Sequence, residues 1–102
     1  MIYHINIGVC AIAILFLPMV VNAGETTRPA QTIAFNCFTC HGTDGQSTGE
    51  IPSINGTSQR DLRTKLIEFK NDEGKPTIMN RIIKGYSDDE IDRVSEYLST
   101  LD

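Results

Sequence analysis

The chain has 102 residues and a formal charge of −4 at pH 7, which allows one small domain and, with no basic cluster, disfavours nonspecific nucleic-acid binding. It has no Trp and few large apolar side chains. If residues 1–23 are removed as read below, 79 remain, and a domain of that size often needs a disulfide, a metal or another staple.

Met1 to Val21 contain no Lys, Arg, Asp or Glu, and the stretch VCAIAILFLPMVV (9–21) is almost wholly apolar. It ends in Val21-Asn22-Ala23, which suits a secretory cleavage site. Residues 1–23 are therefore expected to be a signal peptide and residues 24–102 the mature domain. The apolar run falls short of the roughly 20 residues that span a bilayer, and Pro18 interrupts it. A retained anchor is the alternative, and only then would the chain meet a membrane. Export predicts a periplasmic, oxidising setting in which an exposed free thiol pair does not normally persist. Cys10 leaves with the signal, so Cys37 and Cys40 are the remaining cysteines, both expected to be covalently occupied.

Gly24 to Arg28 reads as a flexible start. Pro29 suits the first turn of a helix, with Thr27 as candidate cap. Ala30, Ile33, Ala34 and Cys37 share a face of that helix, which is expected to end at CFTCH (37–41) and stop at Gly42. Residues 42–58, GTDGQSTGEIPSINGTS, read as a loop too long for a mere linker in so small a domain. Ser58 followed by Asp61 predicts the start of a second helix, from about Gln59 to Lys70, with Leu62, Leu66 and Phe69 at helical spacing. Asn71 to Pro76 form a charged turn, and Thr77 to Lys84 hold a short helix ended by Gly85. Ser87-Asp88-Asp89-Glu90 is a capping box, followed by Ile91, Val94, Leu98 and Leu101 on one face with Tyr97 beside it. The acidic run complements the positive end of the helix dipole and needs no catalytic role. Nothing alternates with period two, so the expected fold is all-α, with three to four short helices and a long loop.

CFTCH has three chemical readings. Structural zinc needs four ligands, and the mature chain offers only Cys37, Cys40 and His41 from Cys and His. A thiol-disulfide module places CxxC at a helix N-terminus after a βαβ pattern, whereas here it closes a helix. C-x-x-C-H is also the attachment signature of c-type haem. Two thiols add across the two vinyl groups as thioethers, and the adjacent histidine lies under the ring with a nitrogen on the iron. Of these, covalent haem fits best with export, the absence of other mature cysteines and a thin core.

Met79 is the one methionine of the mature chain, and His/Met ligation suits electron transfer, so Met79 is the candidate second axial ligand beside His41. The plainer reading of a Met in TIMNRII is core filler. An iron-bound histidine usually donates its other ring N–H to a carbonyl. Ile51-Pro52-Ser53-Ile54 is the rigid apolar point of the loop, so the Pro52 carbonyl is the expected acceptor, against the alternative of a simple turn proline.

These segments together resemble a class I cytochrome c. CFTCHGTDG is similar to its haem-attachment segment, IPSINGTS to its proline loop, and TIMNRIIKGYSDDEIDRV to the segment that carries the axial Met into the last helix. IPSI, the early Met and KGYSDDEI are similar to cytochrome subunits of flavocytochrome c sulfide dehydrogenase and related single-haem sulfur-oxidation cytochromes. The resemblance implies a cytochrome c fold around one covalent haem c, with thioethers at Cys37 and Cys40 and axial ligands His41 and Met79. It implies that Val94 and Tyr97 lie where the last helix meets the first. Pro29 and Ile33 stand where the family often has a Gly and an aromatic, so that crossing is expected to differ in detail. The expected function is electron transfer to and from redox proteins, a sulfide-oxidising flavoprotein subunit among them, with no catalytic residue of its own. The alternatives are a five-coordinate haem enzyme or gas binder and, behind it, the thiol-disulfide module.

Overall fold

Helix α1 (Ala30–His41) starts two residues later than a Thr27 cap would give. Pro29 occupies the cap position itself, at φ −58° and ψ 145°, with no side-chain cap bond, so Thr27 is not the cap. The extended ψ keeps Pro29 out of the helix, while its carbonyl accepts the Ile33 N–H at 3.2 Å. At the other end Gly42 turns away with φ +91°, and its N–H donates to Phe38 O at 3.0 Å. A Cβ there would fall 2.1 Å from the backbone oxygen of Gln46, so only glycine fits this exit.

The computed structural model describes residues 27–102, together with Ile2, Gly8 and residues 12–19. The expected cleavage point at Ala23 lies outside the described residues. Residues 12–19 have no regular secondary structure, and no helix among the described residues is long and apolar enough to cross a membrane.

The long loop is more ordered than its composition suggests. It opens with an unanticipated 3-10 turn, Thr43–Gly45, and the Gly45 carbonyl then accepts from both Ile54 N (2.8 Å) and Asn55 N (3.2 Å). Two remote parts of the loop are thereby pinned together.

Helix α2 (Gln59–Lys70) has the expected boundaries, with Ser58 Oγ accepting from Asp61 N at 3.2 Å. Helix α3 (Met79–Ile83) is the short element foreseen before Gly85. Helix α4 (Asp88–Ser99) starts at Ser87, whose Oγ accepts from Glu90 N at 3.2 Å. The described residues thus form four α-helices and a 3-10 turn without a strand, the all-α architecture expected.

Ile33 and Ala34 of α1, Leu62 of α2, and Val94 and Leu98 of α4 make one buried cluster, with Phe38, Ile54, Leu66, Tyr86, Tyr97 and Leu101 packed around it. Ala34 and Ser95 are fully buried small residues on α1 and α4, which pack on each other. In space α1 packs on α4, α4 on α2, and α2 on α3.

Candidate functional site

The last turn and a half of α1 carries Cys37, Cys40 and His41. Positions i, i+3 and i+4 lie on one face of a helix, so all three side chains leave the same side. Both cysteines are free thiols, Cys37 half-buried and Cys40 exposed. The Cys37 S–H donates to Ile33 O at 3.4 Å. Burial pushes the Cys37 thiol above its ordinary pKa, opposed by that backbone hydrogen bond and assisted by Cys40 nearby. An activated redox thiol is displaced the other way and sits at a helix N-terminus. Both the direction and the location therefore oppose the thiol-disulfide reading. Among the described residues, no three His, Cys, Asp or Glu side chains are grouped to hold a metal ion by themselves.

His41 Nδ1 lies 2.6 Å from the Pro52 carbonyl oxygen. A carbonyl can only accept, so Nδ1 carries the proton and Nε2 is the nitrogen left with a free lone pair. The two residues that follow Pro52 are tied to the start of the loop. Gly45 O takes the N–H of Ile54, and Ser53 Oγ takes the N–H of Ser47 at 2.9 Å.

Met79 is the first residue of α3 and is half-buried. The structure thus brings Cys37, Cys40, His41 and Pro52 together at the end of α1. It carries Met79 on a different helix pair, α3 against α2. Three residues around α3 were not singled out by the sequence. Asp72 accepts hydrogen bonds from Asn80 Nδ2, at 3.1 Å, and from Lys84 Nζ. A second unforeseen group is Arg28 with Glu90, where α1 begins and α4 begins. Both are long-range pairings with no local periodicity to announce them.

The donor set fits a covalent haem. Two unpaired thiols three residues apart can each form a thioether, and a fixed imidazole with Nε2 free follows at once. Ile51 next to Pro52, and Ile78 and Ile82 on either side of Met79, are 45%, 54% and 42% exposed. They offer apolar surface that a flat, largely apolar ring could cover, at positions adjoining both candidate ligands.

A helical domain with two such thiols followed at once by an oriented histidine has the makings of a haem-bearing electron carrier. A family model for cytochrome c matches residues 28–102, and the chain belongs to the cytochrome c family. Membership carries with it a covalently bound haem c and electron transport. The chain is 42% identical over 76 residues to the cytochrome subunit of sulfide dehydrogenase from Chlorobaculum tepidum, covering 74% of this chain and 69% of that one. It is 28% identical to cytochrome c-554(547) of Halothiobacillus neapolitanus, with 78% and 99% covered. A cytochrome c-552 of Acidithiobacillus ferridurans is 35% identical over 65 residues, but this chain spans only 28% of its length.

Proposed function

We propose that the protein is an exported, periplasmic carrier of single electrons in sulfur oxidation, with haem joined at Cys37 and Cys40 and the iron held between His41 and Met79. The observation that carries this reading is the His41–Pro52 hydrogen bond, which fixes the ring and its tautomer one residue after the second thiol. The haem supplies one-electron chemistry. The chain supplies two covalent anchors, an oriented imidazole, a soft thioether and an acidic surface. With His41 and Met79 both holding the iron, no open position would be left for substrate, and the protein would exchange electrons without itself transforming sulfur.

Residues 1–23 act in this reading as the export signal. Similarity to a sulfide dehydrogenase cytochrome subunit supports a flavoprotein partner that oxidises sulfide and hands its electrons on. A net negative carrier favours a basic docking face on that partner.

Expression with haem-maturation machinery tests the assignment. Intact mass should exceed that of the chain from Gly24 by one haem, and the haem should resist acidified acetone. Replacing either Cys37 or Cys40 with Ala should leave a single thioether, and replacing both should abolish retention. The ferric protein should show the far-red sulfur-to-iron charge-transfer band, and Met79→Ala should remove it and lower the potential. An unaltered band in that variant excludes Met79 as ligand.

A further inference from the structure

Helix α2 ends in a Schellman arrangement. Glu73 N–H donates to Glu68 O at 2.8 Å and Asp72 N–H to Phe69 O at 3.0 Å. The residue at the left-handed position of such a terminus is usually glycine, because most side chains there are strained. Here it is Asp72, at φ +60°. Asp is among the few side chains that adopt this conformation readily, so Asp72 can close the helix and still present its carboxylate outward.

The carboxylate of Asp72 crosses to α3 and accepts from Asn80, at its second residue, and from Lys84, at its C-terminal cap. One carboxylate thereby grips both ends of a helix of five residues. Such a helix is too short to be stable by itself, and its first residue is Met79. Lys84, and after it Asn80, hold the Asp72 carboxyl below the usual carboxylate range, as expected for an acceptor engaged by two donors.

We propose that Asp72 is a positioning residue for the axial methionine: the C-terminus of α2 presents a carboxylate clamp that fixes α3 and with it the direction of the Met79 thioether. The inference rests on Met79 being the ligand. Asp72 acts on Met79 through Asn80 and Lys84.

The informative variant is Asp72→Gly in the haem-loaded protein. Glycine accepts the left-handed backbone, so the α2 terminus is retained while the clamp is lost. The far-red sulfur-to-iron band should then bleach on heating well before the far-ultraviolet helix signal melts, whereas the wild type loses the two closer together. Exogenous imidazole should displace the methionine roughly fivefold faster, the scale of one exposed charged pair. Asp72→Asn, which tolerates the same φ and keeps an acceptor for Asn80, should restore part of both properties. Met79→Ala is run in parallel. If Met79→Ala abolishes the band but Asp72→Gly matches wild type in bleaching temperature and imidazole rate, the clamp is refuted and the ligand stands. If Met79→Ala leaves the band unchanged, the ligand assignment fails and the clamp with it.

Discussion

Arg28 Nε lies 2.8 Å from Glu90 Oε2, which joins the residue before the Pro29 cap of α1 to the first turn of α4. The same guanidinium donates to Gly85 O at 2.6 Å and sits 4.4 Å from the centre of the Tyr86 ring. The Glu90 carboxyl is held below its ordinary value, first by the Arg28 hydrogen bond. Between that lowered value and the ordinary one, the unfolded chain binds more protons than the folded chain. This contribution is therefore complete above the ordinary Glu range and is lost as pH falls through the folded value. Thermal melts from about pH 7 down to about pH 3 should show a declining midpoint, and Glu90→Gln should flatten that decline.

Gly42→Ala should be severe although it changes one methyl group. The new Cβ meets backbone, at Gln46 O, and cannot be relieved by a rotamer change. A loss of about 2 kcal/mol or more is expected in denaturant titration. His41 should lose its Pro52 contact in the same variant, because the loop that carries the carbonyl begins here.

Leu98→Ala removes a side chain that is 2% exposed and belongs to the central cluster. It should cost about 2–5 kcal/mol. Leu101→Ala, at the partly covered edge of the same cluster, should cost clearly less. Equal losses at the two sites would contradict this placing of the core.

Lys70 Nζ donates to Tyr86 O at 2.7 Å and to Asp88 Oδ1 at 2.8 Å, tying the end of α2 to the entry of α4. Lys70→Met keeps the aliphatic stem and removes both bonds. The expected loss is about 1 kcal/mol, with amide exchange rising first in residues 85–90.

The sequence was most legible where the signal was local. Ser58 with Asp61 and Ser87 with Glu90 marked the starts of α2 and α4, because a cap is made within four residues. CFTCH ended where its glycine said it would. Two local readings needed correction. Pro29 took the cap position assigned to Thr27, since proline's φ serves an extended residue as well as a helical one. The loop after Gly42 held a 3-10 turn that its polar composition hid. What could not be read were partners brought together by the fold. Asp88 and Glu90 look like part of a dipole-complementing run, and in space they also meet the remote cations Lys70 and Arg28 respectively. Asp72 reads as an ordinary turn residue until its φ and its two partners on α3 are seen together.

The packing order of the helices bears on how the protein comes apart. The main helix contacts run from α1 to α4 to α2 to α3, with His41 on the first member and Met79 on the last. Such an order can fray from an end. A bond from each of these residues to one shared centre would tie the two ends of that order together, a cross-link comparable to a disulfide that closes about half of the domain. The loaded protein should then unfold as a single cooperative unit, and the haem-free chain should lose α3 first.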